Sequence, residues 1–177
     1  EIGEDPVVHE ESDSSFYMGV GLSGDRRYVM LTLSSTTSDE VRVVPADDPS
    51  APMRTLIKRQ PLHEFDVDHI DSRWVIRTNW EAENFRLMQV EDDSVDDRSA
   101  WVELVPHRSD VLLADFDVFN SFYVLVERGD AVRRLRIRSW DGARDELIDV
   151  GEAIHTAWLG ANPQQDSEWL RFGYTSL

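Results

Sequence analysis

The sequence lacks cysteine altogether, so disulfide bonds and thiolate chemistry are excluded. This absence suits a reducing compartment, and we expect a cytoplasmic protein. Long apolar runs are also missing, since none approaches the roughly 20 residues that a membrane-spanning helix needs. The first residue is Glu1 rather than a methionine, which predicts a processed chain or a piece of a longer one.

Positive charge is scarce. The 18 basic residues are outnumbered by 35 acidic residues, which gives a formal net charge of -17 at pH 7. A surface of that sign repels the phosphates of nucleic acid and the headgroups of anionic membranes, so we expect neither as a partner. Basic peptides or proteins would be attracted through a long-range field that salt screens. In a simpler interpretation, the acidity keeps the protein soluble.

A sustained 3.6-residue period is missing as well, and short runs of strand-like residues take its place. Turn-forming clusters such as Ser23-Gly24-Asp25, Gly129-Asp130 and Asp141-Gly142 separate these runs. With 41% hydrophobic residues, the chain has enough apolar side chains to bury a core. The pattern therefore predicts a globular all-β protein.

The strand-like runs repeat along the chain. Four of them begin with an aromatic residue, at intervals of 46, 49 and 46 residues: Tyr28, Trp74, Tyr123 and Trp169. Another predicted strand precedes each of these, and a third and a fourth follow the first three. The first strands read FYMGVGL, FDVDHI, VLLADF and AIHTAWL; the third read VRVVP, NFRLMQV and VRRLRIR; the fourth read RTLIKR, WVELVPHR and ELIDVG.

Four short strands in about 40–50 residues are the unit of a β-propeller blade. A blade has two apolar faces, so it buries both only by stacking on neighbouring blades. The sequence holds about three such units and the first half of another. We therefore predict an all-β partial β-propeller of about three four-stranded antiparallel blades plus a half blade, with residues 1–177 forming a fragment of a larger propeller domain.

Such a fragment would leave sheet edges without partners. If the chain ends at Leu177, the last unit lacks two strands, and the strand predicted over Trp169–Tyr174 keeps a free edge. Apolar residues near that edge, namely Ile154, Trp158 and Leu170, would be uncovered as well. We therefore expect self-association through open blade edges, and salt should promote it by screening the like charges of two copies.

Two stretches resemble ligand sites by their letters alone. Gly19–Gly24 spells GxGxxG, but a strand rather than a helix is predicted to follow it, so we expect no dinucleotide cofactor. The acidic run Glu91–Asp97 lacks the spacing of a calcium loop and is predicted to be a solvated loop. Carboxylates for a glycosidase pair are plentiful, but nothing singles out two of them. The sequence therefore assigns no catalytic, cofactor-binding or metal-binding residue.

The stretch His63–His69 resembles a metal site. On a strand its two terminal histidines share a face but stand about 20 Å apart at ~3.3 Å per residue, too far for one ion. The alternation instead predicts that Phe65 and Val67 face the core while Glu64, Asp66 and Asp68 face solvent or a partner.

The polar connection Thr78–Asn84 lies between the predicted second and third strands of one unit, where the chain must reverse. Asparagine favours turns because its short side chain bonds nearby backbone groups and tolerates left-handed conformations. Asn79 and Asn84 are therefore predicted to stabilise turns rather than to bind a ligand.

Eight short segments, taken in order, resemble those of one known family. They are VVHEESDSSFY (7–17), SDEV (38–41), PADDP (45–49), FDVDH (65–69), RTN (77–79), AENFRL (82–87), WVELVPHR (101–108) and RFGYTSL (171–177). The series resembles the propeller of oligopeptidase B-type enzymes in the prolyl oligopeptidase family of serine peptidases. Each segment is weak alone, and it is their order over nearly the whole chain that is specific.

The resemblance implies an N-terminal seven-bladed propeller that caps a C-terminal α/β-hydrolase domain, in a peptidase that cleaves short peptides after Lys or Arg. In that family the catalytic Ser, Asp and His, and most of the acidic residues that select the substrate, lie in the hydrolase domain. Residues 1–177 contain no counterpart of that domain, so we expect this fragment to be non-catalytic and to use no cofactor. Its expected partners are the missing hydrolase domain and, in the parent protein, short basic peptides.

Two main function classes stay open. In the first, the chain is part of a peptidase, and its propeller restricts the active site to short peptides. In the second, it is a stand-alone acidic propeller-like binding module for basic peptides or proteins, and self-association completes its ring. A third interpretation, a metal-dependent or glycoside-cleaving propeller enzyme, has only scattered carboxylates in its favour.

Overall fold

The structure is a computed structural model that describes residues 7–176. The expectations about the two chain ends concern Glu1 and Leu177, which lie outside the described residues. The first four strands pair in sequence order into one antiparallel sheet, called unit 1. These strands are β1 (Tyr17–Leu22), β2 (Tyr28–Ser34), β3 (Asp39–Pro45) and β4 (Arg54–Ile57).

Unit 2 repeats this order with the next four strands. Two short 3-10 helices connect its last two strands. Nowhere in residues 7–176 is a helix long and apolar enough to cross a membrane. The elements of unit 2 are β5 (Phe65–Ile70), β6 (Arg73–Thr78), β7 (Arg86–Glu91), the 3-10 helices Asp92–Ser94 and Arg98–Ala100, and β8 (Val102–Val105).

Unit 3 again has four antiparallel strands, and a half unit, unit 4, follows it. A single parallel bridge between Arg133 and Thr156 joins the two into one six-stranded sheet. The strands are β9 (Leu112–Val118), β10 (Phe122–Gly129), β11 (Val132–Ser139) and β12 (Asp145–Leu147) in unit 3, and β13 (His155–Leu159) and β14 (Phe172–Ser176) in unit 4.

Tight turns of defined chemistry join the strands. β10 and β11 pair as far as Gly129 and Val132, which leaves Asp130 and Ala131 as a two-residue loop. Both loop residues have positive φ, 51° and 62°, and such turns match the twist of the flanking strands. The turn predicted at Gly129-Asp130 is confirmed, one residue further along the chain.

Three apolar clusters lie between the units. The first joins unit 1 to unit 2 and includes Trp74, and the second joins unit 2 to unit 3 and includes Val75 and Leu125. The third joins unit 3 to unit 4 and includes Leu135 and Ala157. Trp74 and Val75 enter different clusters because successive side chains of a strand point to opposite faces. The units are therefore stacked as blades, with units 2 and 3 each between two neighbours and units 1 and 4 each packed on one, and the predicted all-β partial propeller is confirmed.

The fourth repeat departs from the prediction. Trp169 does not share the strand position of Tyr28, Trp74 and Tyr123; it lies before β14 and is 82% exposed. The strand predicted over Trp169–Tyr174 starts only at Phe172.

Side-chain hydrogen bonds explain this shift. The side-chain oxygen of Asn162 accepts the N–H of Arg171 at 2.8 Å, and the hydroxyl of Ser167 accepts the N–H of Trp169 at 3.0 Å. These bonds hold the backbone in a loop and take the place of strand pairing. Leu170, which was expected to be uncovered, packs on the third cluster, whereas Ile154 and Trp158 are 63% and 43% exposed.

Candidate functional site

The first strands of units 2 and 3 carry a set of four carboxylates. β5 presents Asp66 and Asp68, and β9 presents Asp115 and Asp117. Residues two apart on a strand point to the same side, so each pair faces one way. Because β5 contacts β9, the charge of Asp66 acts on Asp115 and that of Asp68 acts on Asp117. The four residues thus form two acidic rungs across neighbouring units.

A groove of about 610 Å³ opens over these carboxylates, and we call it the inner groove. Its walls include the four aspartates, the turn after β1 with Ser23, Gly24 and Arg26, and residues 161–163 and 165. The groove therefore lies where the first strands of units 1, 2 and 3 meet a segment of unit 4.

The segment 161–165 is fixed in place by hydrogen bonds to two other units. Gln165 donates its side-chain Nε2 to the carbonyl of His69 in unit 2 at 2.9 Å. Its own carbonyl accepts the N–H of Asn120 in unit 3 at 2.7 Å. Asn162 Nδ2 donates to Asp117 Oδ2 at 3.0 Å. The segment is thereby held over the groove as a cover.

Burial and mutual repulsion change the acidity of the groove. Burial, together with the charges of Asp68 and Asp115 and against the bond from Asn162, raises the pKa of Asp117 to about 6. Burial also raises the pKa of Asp68 and that of Asp115. A raised carboxyl pKa means that the ionised form lacks compensation here, so a cation in the groove would be stabilised.

Asp66 differs from the other three because it has a basic partner. Arg77 Nε donates to Asp66 Oδ2 at 2.9 Å, and Arg77 Nη1 donates to the carbonyl of Leu113 at 3.1 Å. Arg77 also stacks over the ring of Phe85, with 4.1 Å from its central carbon to the ring centre. This arginine therefore links β6 to β9 and neutralises one end of the acidic set.

A buried histidine lies directly behind the groove. His69 is fully buried, and its Nδ1 stands 2.6 Å from Asp25 while its Nε2 stands 2.7 Å from Asp92. The rings of Tyr28 and Trp74 enclose it at 4.9 and 4.6 Å between centres. The arrangement thus joins units 1 and 2 through one histidine and two acidic side chains, which we call the charged bridge after its two aspartates.

A second histidine makes a neutral network. Arg98 Nη2 donates to Nδ1 of His63 at a distance of 3.0 Å. The other ring nitrogen of His63, Nε2, is hydrogen-bonded to Thr78 Oγ1 at 2.8 Å. Burial, aided by the charge of Arg98, lowers the pKa of His63 to about 4. Thr78 is fully buried, so its hydroxyl offers no access to a substrate. This network links the segment before β5 to the end of β6 and to the second 3-10 helix of unit 2.

The two asparagines of the polar connection after β6 bond backbone groups, but those of other segments 15 to 25 residues away rather than those of their own turn. Asn79 accepts the N–H of Glu64 at 2.9 Å and donates to the carbonyl of Leu62 at 3.1 Å. Asn84 donates to the carbonyls of Arg108 and Ser109, both at 3.0 Å. Both asparagines hold backbone segments in place.

The stretches that resembled ligand sites have structural functions. β2 follows Gly19–Gly24, and Gly24 donates its N–H to Asp68 at 2.7 Å. Part of the acidic run Glu91–Asp97 forms a 3-10 helix, and its Asp92 contacts His69, so the predicted solvated loop is wrong at that residue. Within residues 7–176, no three His, Cys, Asp or Glu side chains are placed to hold a metal ion.

Sequence reasoning found part of the groove. The alternation around Val67 marks Asp66 and Asp68 as facing solvent or a partner; Asp66 is exposed, and Asp68 is half-buried in the groove wall. The same alternation in LLADFDV would have marked Asp115 and Asp117. Gln165 carried no signal, because its contact with His69 joins residues 96 apart.

Comparisons with known proteins agree with this architecture. Residues 1–177 match the family model described as prolyl oligopeptidase, N-terminal beta-propeller domain. Dipeptidyl aminopeptidase BI from Pseudoxanthomonas mexicana is 39% identical over 175 residues, which cover 98% of this chain and 24% of that protein. Protease 2 from Moraxella lacunata is 23% identical over 177 residues, 100% of this chain and 25% of that protein. The structure of oligopeptidase B from Leishmania major has a TM-score of 0.87 at 22% identity, covering 98% of this chain and 26% of that one.

Stacked four-stranded units around an inner groove define the chain as a β-propeller module. It belongs to the family of prolyl oligopeptidase N-terminal β-propeller domains, since the family model matches all 177 residues. The chain spans about a quarter of the length of the curated relatives it matches.

Proposed function

We propose that this chain is part of the propeller of an oligopeptidase B-like serine peptidase, a cytoplasmic enzyme that cleaves short peptides after Lys or Arg. The observation that carries the proposal is the inner groove, where Asp68, Asp115 and Asp117 have no ion pair within residues 7–176. An acidic surface of this kind attracts basic peptides and raises their local concentration. The relatives named as peptidases support the reaction class.

The chain's own part in this function is to restrict access. Its residues supply a wall for the peptide, while the catalytic Ser, Asp and His belong to a C-terminal α/β-hydrolase domain that acts as its partner. The segment 161–165 supports this role, because it contributes a wall to the groove and is bonded to unit 2.

The test is peptide hydrolysis by the longer protein that contains this chain. A fluorogenic dipeptide ending in arginine should be cleaved, whereas the same dipeptide ending in the neutral isostere citrulline should not. Residues 1–177 alone should cleave neither. Equal cleavage of both substrates by the longer protein would overturn the Lys/Arg preference. Turnover by residues 1–177 alone would overturn the assignment of catalysis to the hydrolase domain.

Restriction by size is measured with the same longer protein. The substrates are a series of arginine-containing peptides of increasing length and, as the largest, a folded protein. Only the short peptides of the series should be cleaved. Cleavage of the folded protein at the rate of the short peptides would contradict an access-restricting propeller.

Exposed apolar strands favour a second candidate, a self-associating acidic binding module for basic peptides. On β1, Tyr17 and Val20 are 83% and 76% exposed, and on β14 Tyr174 is 50% exposed. Exposed apolar strands recruit other chains. Sedimentation of residues 1–177 from low to high salt separates the two candidates. A closed oligomer that binds basic peptides favours the module, and a monomer at every salt concentration excludes it.

A further inference from the structure

The connection between β13 and β14 is much longer than its counterparts in the other units, and we call it the long loop. It comprises residues 160–171, whereas the first connections of units 1, 2 and 3 are residues 23–27, 71–72 and 119–121. Its two ends are tied to each other, because the N–H of Gly160 donates to the carbonyl of Arg171 at 2.9 Å. Near this base, Leu170 packs on the third apolar cluster. The base of the loop is therefore fixed to its own unit.

The tip of the long loop reaches the three other units through Gln165. The side chain of Gln165 donates to the carbonyl of His69 in unit 2, and its backbone carbonyl accepts the N–H of Asn120 in unit 3. In unit 1 it lies against Gly24, where an added Cβ atom would stand 2.9 Å from Gln165 Cδ and closer still to Nε2. Within residues 160–171, all of which the structure describes, Gln165 alone is buried. The tip is therefore attached at one point, by polar contacts.

Gln165 also lies between two cavities. On one side is the inner groove, and on the other is a cavity of about 380 Å³, which we call the outer pocket. Asn120 and Gln164 line the outer pocket but not the inner groove. Four residues line both cavities: Gly24, Arg26, Pro163 and Gln165. The contact between Gln165 and Gly24 therefore separates the two cavities, and they become continuous when that contact is broken.

The attached position of the tip leaves one polar atom unsatisfied. Gln165 Oε1 is buried and has no hydrogen-bond partner among residues 7–176. A buried acceptor without a donor is unfavourable, and this cost disappears when water reaches the atom. Regions held by few buried apolar contacts open locally more readily than a packed core. The tip is therefore held less firmly than the base.

We propose that the long loop is a lid of the inner groove, latched by Gln165 and hinged at the base formed by Gly160 and Arg171. Its opening joins the groove to the outer pocket and leaves the strands unchanged. Loops that close over a site in this way turn on a few residues at their ends. The lid deepens the proposed function, because its opening sets the size of the peptide that passes. Its motion is measurable without that function.

The experiment is hydrogen exchange in the longer protein, followed by mass spectrometry with fragmentation to single amides. The amide of Asn120 is bonded to the carbonyl of Gln165, so its exchange reports release of the tip. The amide of Gly160 is bonded to the carbonyl of Arg171 and reports the base. We expect Asn120 to exchange faster than Gly160. Exchange at the base that is as fast as exchange at the tip would overturn a lid hinged there.

Two variants release the latch in different ways. Gln165→Ala removes the bond to His69, and Gly24→Ala places a methyl group where the flexible side chain of Gln165 lies. Each should speed the exchange of Asn120 about tenfold, as expected for the loss of one hydrogen bond, and leave Gly160 unchanged. No acceleration in either variant would overturn the latch.

Gln164→Ala is the matched control. Gln164 is the exposed neighbour of Gln165 and does not line the inner groove, so Asn120 should exchange at its unchanged rate in this variant. An acceleration equal to that in Gln165→Ala would make the effect a general property of the loop and contradict a latch at Gln165.

Hydrolysis by the longer protein connects the lid to the proposed function. Admission of a peptide follows the open fraction of the lid. Gln165→Ala should therefore raise kcat/KM for the longest cleaved arginine peptide about tenfold relative to the arginine dipeptide. If Asn120 exchange accelerates but this ratio stays the same, the lid does not set the size limit, and its role in access is overturned. If the longer protein cleaves no arginine peptide, the proposed function is wrong, and the exchange rates still decide whether the lid exists.

Discussion

The interface between units 1 and 2 combines an apolar cluster with a buried polar bridge, whereas the core of the interface between units 2 and 3 is an apolar cluster alone. At the first, His69 bonds Asp25 of unit 1 and Asp92 of unit 2 within an aromatic enclosure. At the second, fully buried aliphatic side chains such as Val75 and Leu125 belong to one apolar cluster. Apolar contacts stabilise stacked sheets without depending on protonation. The charged bridge fixes one relative position but depends on the charges that form it.

The largest effect is expected at the apolar interface. Leu125→Ala removes a fully buried side chain and leaves a cavity, so it should lower the free energy of unfolding by about 3 kcal/mol. The loss should be the same at pH 5 and pH 8, because no titrating group is involved. Urea denaturation at both pH values measures it. Leu147→Ala on β12, where the side chain is 44% exposed, should cost about 0.5 kcal/mol or less.

A smaller effect, with a different signature, is expected at the charged bridge. His69→Leu keeps the volume but leaves Asp25 and Asp92 without their shared partner, and should cost about 2 kcal/mol, since both carboxylates keep some contact with water. Adding Asp25→Asn and Asp92→Asn removes the repulsion and should recover most of that loss. If the triple variant is no more stable than His69→Leu alone, the charges do not carry this interface.

The two interfaces also differ in how far the sequence predicts them. Alternation and repeat spacing predict the strands and hence the apolar stacking, because each strand's faces follow from its own residues. The bridge joins residues 44 and 23 positions apart, on β5, in the turn after β1 and in the 3-10 helix after β7, so no local pattern shows it. The sequence therefore predicts the fold more fully than its polar contacts.

The inner groove illustrates the same limit. Asp66 and Asp68 stand out in the sequence because they alternate with apolar residues, but the groove forms only when β9 and residues 161–165 lie beside them. The covering segment follows from Asn162 and Ser167, whose side chains hold a loop where the repeat spacing predicts a strand. That a polar residue interrupts strand pairing can be recognised only when its hydrogen-bond partner is known.

A third prediction concerns how the stability of the two interfaces depends on pH. The group that we consider at the interface between units 1 and 2 is His63. Its pKa is lowered to about 4, so the folded state keeps the ring neutral while the unfolded chain takes up a proton below about 6.5. Its contribution is therefore complete above pH 6.5 and is lost as the pH falls towards 4. The groups that face it are Arg98, Thr78 and the ring of Phe65.

Urea denaturation from pH 7 to pH 4 measures this contribution. The protein should lose about 1 kcal/mol more than His63→Gln over that range, after allowance for solvent screening. His155→Gln, at a histidine that bonds only the carbonyl of Glu152 within residues 7–176, should follow the unchanged protein. Parallel pH profiles for the unchanged protein and His63→Gln would contradict the assignment.

The smallest expected effect concerns Asp117, beside the interface of units 2 and 3. Its contribution to stability is lost as the pH rises, whereas that of His63 is lost as the pH falls. Asp117 has a pKa raised to about 6 by burial and by the charges of Asp68 and Asp115, so its folded state favours the neutral acid. A raised carboxyl pKa contributes stability that is complete below about pH 4 and is lost as the pH rises through about 6.

Asp117→Asn keeps an oxygen to accept the bond from Asn162 and stays neutral. It should therefore be more stable than the unchanged protein at pH 8 by about 0.5 kcal/mol and equal to it at pH 4. Because the groove opens to solvent, the gain is small, and paired urea titrations at the two pH values are needed to resolve it. A variant that is less stable at pH 8 would mean that the ionised carboxylate is already satisfied in the folded chain, and the interface between units 2 and 3 would then share the charge dependence of its neighbour.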